Sequence, residues 1–129
     1  MSIEAGGTFK CNDDVLTGDI EHLWVIISDP TLHPDCVVIV NLTSRKYKND
    51  DPACDLIFGD HPFIIKPTFV KYRETMVVTK RQLEEASISH KTSVDMRVLQ
   101  RIRAGAGKSR FIPRFIKKHL IDQGIIESE

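Results

Sequence analysis

A chain of 129 residues with 41% hydrophobic and 28% charged side chains can build one core of ordinary size and is too short for two, and it lacks the bias of a disordered, collagenous or disulfide-rich protein. Its apolar runs fall well short of the roughly 20 residues that cross a bilayer, so no membrane partner is expected. Lys/Arg and Asp/Glu balance at 18 each, yet residues 1–65 carry a net charge of −7 and residues 66–129 a net charge of +7, a split that either serves a polyanion or pairs within the fold.

The opening MSIEAGGTFKCNDD holds no basic segment followed by an apolar run, and Cys11, Cys36 and Cys54 cannot all pair. A cytoplasmic location with reduced thiols is therefore expected. Residues 1–16 show no period and contain Gly6-Gly7 and Asn12-Asp13-Asp14, which predicts an irregular start before a single domain over 17–129. HLWVIISD (22–29) and CVVIVNLT (36–43) are β-branched apolar runs joined by the proline-bearing PTLHPD. That link is too short for a crossover helix, so the two form an antiparallel hairpin. After the polar SRKYKNDDPA come DLIF (55–58), PTFVKYR (67–73) and TMVV (75–78), each of strand length. Several short strands so closely spaced indicate a small barrel or a strongly bent sheet.

The periodicity then changes. Thr79 with Gln82 makes a capping box that opens a short helix over KRQLEEA. Ser93 reads as the next N-cap, with Asp95 in the first turn and Val94, Val98, Leu99 and Ile102 at helical spacing up to a stop at Gly105/Gly107. Pro113 suits the first turn of a last helix with Phe115, Ile116 and Leu120 inward and Arg114, Lys117 and Lys118 toward solvent. The fold class is α+β, mainly β: a small antiparallel barrel followed by C-terminal helices. From Arg97 to Lys118 there are eight basic residues and no acidic one.

Three groups of residues invite chemistry. AGAGKS (104–109) lacks the glycine that a phosphate-binding loop needs five residues before Gly107, because Ile102 stands there, so its glycines read as a helix end. His33, Cys36, Cys54 and His61 are zinc-type ligands without any CxxC spacing, and Cys36 and Cys54 begin apolar runs as small hydrophobes. No metal and no cofactor is expected. The third group is His61, with Thr43, Ser44, Lys66, Tyr72 and Arg73. Metal-free cleavage of an RNA phosphodiester requires a base for the 2′-hydroxyl, an acid for the leaving oxygen and cations for the phosphorane. His61 brings an imidazole suited to proton transfer, Lys66 and Arg73 suit phosphate, and Tyr72 suits base stacking or proton donation. The same residues also read as a turn shaped by His61-Pro62 leading into an amphipathic strand. His22, beside Trp24, and His90, in the loop SISHKTS, read as structural or solvated.

The order Gly18-Asp19-Ile20, an apolar strand Val25 to Ser28, and a second strand Val37 to Ser44 ending in NLTS resembles the MazF/PemK/Kid family of small toxin ribonucleases. The resemblance implies an SH3-like β-barrel with added helices, a homodimer, metal-independent cleavage of single-stranded RNA and an antitoxin that occupies the RNA groove. It carries a catalytic role to Thr43 and Ser44. The family's catalytic arginine has no counterpart between Ile20 and Trp24, so His22 or His61, with Lys66 or Arg73, would supply the acid and the cation. RNA binding would fall to Lys66, Tyr72 and Arg73. The other expectation is a non-catalytic module whose basic segment, Arg114 and Lys117 included, contacts a protein or nucleic acid.

Overall fold

CVVIVNLTS is the longest run of strand-forming residues, and in the computed structural model, which describes residues 3–127, it forms the central strand of the sheet. The strands are β1 (Thr8–Cys11), β2 (Leu23–Ile26), β3 (Cys36–Ser44), β4 (Asp55–Leu56), β5 (Thr68–Val70), β6 (Met76–Thr79) and β7 (Ile88–Lys91). The helices are α1 (Lys80–Glu85), α2 (Met96–Lys108) and α3 (Arg114–Asp122). Along one edge β3 pairs with β2, from Leu23–Leu42 to Ile26–Ile39. Its other edge is shared, with β6 over Cys36 to Ile39 and β5 over Leu42 to Ser44. All pairs are antiparallel, so the hairpin predicted from PTLHPD is present. The order is β4-β5-β3-β2-β1-β7, with β6 beside β3. The end strands β4 and β7 do not pair with each other, so the protein is α+β with an open seven-stranded sheet where a closed SH3-like barrel was expected.

Strand alternation sorts the apolar residues onto two faces. Leu23, Val25, Val38, Val40, Leu42 and Val70 face a large core completed by Val98, Leu99, Ile102 and Ala106 of α2 and Ile116 and Leu120 of α3. Trp24, Ile26, Val37 and Ile39 face the other way, with Phe9, Cys11, Val78 and Leu83 of α1. Among the described residues no helix is long and apolar enough to cross a membrane.

The capping box forms as read: Thr79 Oγ1 accepts from the Gln82 N–H at 3.0 Å, and the Gln82 side chain accepts from the Thr79 N–H at 2.8 Å. Other expectations need correction. The start is not irregular throughout, because Thr8–Cys11 is held on both edges, by β2 and by β7. His90 consequently lies in β7 rather than a loop. Asp95, not Ser93, caps α2, accepting from the Val98 N–H at 2.8 Å, while Ser93 Oγ donates to Glu4. Neither Gly105 nor Gly107 stops α2; Gly105 is needed inside it, since a Cβ there would stand 2.3 Å from Tyr72 Oη. Phe115, expected inward, is 71% exposed. PTFVKYR is a strand only to Val70 and then turns through a 3-10 segment, Tyr72–Glu74, that drives Tyr72 into the core.

Candidate nucleic-acid interface

The β2–β3 ladder ends at Leu23–Leu42, which leaves His22 and Thr43 beside each other just beyond it. Gly18, at φ +75°, allows the chain to turn tightly before β2. Asp19 then caps the turn: its Oδ1 accepts from the N–H groups of Glu21 at 2.7 Å and His22 at 3.1 Å. Its Oδ2 takes the Nδ1–H of His22 at 2.5 Å. Burial pushes the Asp19 carboxyl up, but these N–H groups and the His22 ring outweigh that and hold it below its ordinary value. An ionised carboxylate only accepts, so it places the imidazole proton on Nδ1. The second ring nitrogen, Nε2, has no partner among the described residues, and in the neutral ring it is the nitrogen that carries the lone pair. This is the arrangement of a general base held by a carboxylate.

His22 lines a cleft of about 300 Å³ together with Glu21, Ser44, Phe63 and Lys66. Three of the residues singled out in the sequence, His22, Ser44 and Lys66, are thus brought together from three separate segments. On the far side of the same dyad, Asp19 lines a second depression of about 320 Å³ with Trp24, Arg73 and Glu74. Arg73 also borders a third, of about 370 Å³, with Tyr47, Phe69, Lys71 and Phe111. Registers Trp24–Asn41 and Thr43–Phe69 put these four side chains on one face of the sheet, so the second and third depressions follow that face from β2 to β5, while the His22 cleft, lined by Leu42, Ser44 and Thr68, opens at the sheet end on the other side. Cations sit on rings along the way: Arg45 lies 4.9 Å from the centre of Phe69 and Arg73 4.7 Å from that of Phe111.

Other candidates are placed elsewhere. His61 is 4% exposed; its Nε2–H donates to the Thr92 carbonyl and its Nδ1 accepts from the Phe63 N–H at 3.0 Å. Both nitrogens are engaged, so His61 ties a loop to the strand end and has no free lone pair for a proton. Tyr72 is fully buried and its hydroxyl donates to the Ile102 carbonyl at 2.6 Å, with burial pushing its phenol well above the ordinary value. It offers no face to a base. Thr43 is half-buried and donates to Asn41 Oδ1 at 2.8 Å. Arg114, exposed, and Lys117, half-buried, lie on α3 and border none of the three depressions. Among the described residues no three His, Cys, Asp or Glu side chains group around a possible metal position.

The sequence reading missed Asp19 as the partner of His22, although GDIEH carries the signal: a glycine, then a carboxylate three residues before a histidine. It also missed Lys71, Phe69 and Phe111, which only the β3–β5 register and the α2–α3 corner bring near Arg73. No known family's sequence model matches the chain, and no curated protein matches it either.

Proposed function

We propose that the chain binds single-stranded RNA along this sheet face and cleaves it without a metal, as a toxin-like ribonuclease. The supporting observation is the His22–Asp19 dyad, with a free Nε2 between a cleft containing Ser44 and Lys66 and a basic, aromatic track containing Arg73. Single-stranded nucleic acid is held by cations that follow the backbone and rings that stack on bases. Arg73, Lys71, Tyr47 and Phe111 are of those types. In the reaction, His22 Nε2 takes the 2′-hydroxyl proton and the 2′-oxygen attacks phosphorus. The bond to the 5′-oxygen breaks with a proton from the Lys66 ammonium, leaving a 2′,3′-cyclic phosphate and a 5′-hydroxyl. Ser44, in the cleft, is the hydroxyl contact for the phosphate, while Thr43, whose proton goes to Asn41, fixes the turn beside the dyad. An SH3-like mode of assembly, a homodimer and a protein antitoxin belong to the same proposal.

A fluorescent single-stranded RNA at low salt tests it. His22→Ala should reduce cleavage by about 10²- to 10⁴-fold while leaving retention of the RNA intact, the range for loss of a general base. Arg73→Ala should weaken retention and flatten its dependence on salt by about 0.7 in the log–log slope, as expected for one lost phosphate contact. Wild-type protein that neither retains nor cuts the RNA would sink the proposal.

A second reading, a non-catalytic module for a protein partner, is favoured by the loop after β4, where Ile57 is 62% exposed, Phe58 78% and Ile65 76%. Under it, His22→Ala changes nothing, and charged substitutions at Phe58 and Ile65 abolish partner binding.

A further inference from the structure

Two buried donors on the proposed RNA face have no acceptor. Trp24 Nε1 and Asn41 Nδ2 make no hydrogen bond, and each residue is 1% exposed. They are direct partners across the β2–β3 ladder, on the same face of the sheet. Thr43 Oγ1 occupies the oxygen end of the Asn41 amide at 2.8 Å, which leaves the NH₂ end free. Trp24 lines the second depression, the one also bordered by Asp19, Arg73, Glu74 and Met76, and Asn41, its register partner, lies next to it on β3 without lining the depression itself. Buried donors without acceptors are rare in folded proteins and call for an explanation.

We propose that this depression is a base-selecting subsite of the RNA interface, taking a nucleobase that presents a carbonyl oxygen beside a ring N–H, namely uracil or guanine. The inference rests on the RNA-binding reading. Trp24 and Asn41 being register partners, one acceptor atom that serves both donors needs two lone pairs. A carbonyl oxygen has two, whereas a ring nitrogen acceptor, as in adenine, has one. The charges nearby favour a neutral ligand over a phosphate, because the carboxylates of Asp19 and Glu74 border the depression along with Arg73. Asp19 Oδ2, with one lone pair engaged by His22, retains a second for the ring N–H next to the carbonyl. Cytosine would set its N3 lone pair against that carboxylate and is rejected. Both donor nitrogens are covered in the unliganded chain, and the flexible side chains beside Trp24 are Met76 and Arg73, the latter exposed and stacked on Phe111. Their displacement admits the base edge, and Arg73 is then free to meet the adjoining phosphate.

Trp24 is the single tryptophan, so a ¹⁵N-labelled sample shows one indole N–H resonance that reports on this site alone. The full wild-type chain is titrated with 2′-O-methyl tetranucleotides, which lack the attacking hydroxyl and cannot be cut, of uridine, cytidine or adenosine, and with an adenosine tetranucleotide containing one guanine. Filter retention of the same RNAs is measured in parallel. Uridine- and guanine-containing RNAs should move the indole resonance downfield and bind at least fivefold tighter than the other two; Asn41→Leu should reduce that preference to less than twofold. Retention of RNA with an unmoved indole resonance, or with equal shifts from all four, overturns the subsite and leaves the RNA-binding reading standing. No retention and no shift overturns both.

Discussion

Gly105 and Gly107 lie two residues apart in α2, yet alanine should act oppositely at the two positions. In a helix interior Gly→Ala ordinarily stabilises by about 0.5–1 kcal/mol. At Gly107 a Cβ meets nothing within 4 Å, so Gly107→Ala should show that gain. At Gly105 the Cβ would stand 2.3 Å from Tyr72 Oη, 2.8 Å from Cys54 Cβ and 3.1 Å from the Ala53 carbonyl oxygen. Overpacking of this kind costs about 1–3 kcal/mol, and pushing the Tyr72 hydroxyl off its carbonyl strands a buried donor at about 1–3 kcal/mol more. With the helix gain set against these, Gly105→Ala should lose about 2–5 kcal/mol, a large part of the stability of a domain this size. Urea unfolding followed by the fluorescence of buried Trp24 measures all three proteins. Adding Tyr72→Phe to Gly105→Ala should recover part of the loss, since the contact with Cys54 remains. If Gly105→Ala is as stable as Gly107→Ala, Tyr72 is not fixed against α2, and its exclusion from the RNA surface fails.

Other outcomes follow from the same contacts. His61→Ala should destabilise by about 2–3 kcal/mol through two lost hydrogen bonds and a cavity, speed proteolysis within 57–67, and leave the RNA cleavage rate of the folded protein unchanged. Asp95→Ala should cost about 1 kcal/mol, read as a lower urea midpoint, because the N-cap of α2 is lost. Burial pushes the Asp60 carboxyl up, but the Ile57 N–H and Arg101 hold it below the ordinary 3.8, so the unfolded chain takes up its proton first as the solution is acidified. Its stabilisation is present above that value and is lost as pH falls through the folded-state one. Asp60→Asn should be less stable at pH 7 and show a shallower loss of melting temperature below pH 3.8.

Local chemistry was legible in the sequence; partners distant along the chain were not. The β2–β3 hairpin, the Thr79–Gln82 capping box and the α2 stripe all rest on residues a few positions apart, where period and cap residues speak directly. β1 was missed because TFKC is four residues between a glycine pair and Asn12-Asp13-Asp14, and it becomes a strand by pairing with Leu23–Ile26 on one edge and Ile88–Lys91 on the other. The 3-10 break after Val70 was missed because nothing in KYRE announces that the Ile102 carbonyl lies waiting for Tyr72. At the site, residue types pointed to His22, Ser44, Lys66 and Arg73 but could not rank them against His61 and Tyr72. Burial decided that ranking, and burial is a property of the packed chain.

The Thr92 carbonyl accepts from both Thr8 Oγ1, at 2.7 Å, and His61 Nε2. One oxygen therefore closes two long loops at once, and both the outer edge of β1 and the 57–67 segment are tied down by the chain at the end of β7. Such late, non-local closure slows folding and makes it more cooperative. A nascent chain that ends before Thr92 carries an unsealed sheet edge at β1 and a loose apolar loop at Ile57–Ile65, and the last third of synthesis is when both become protected.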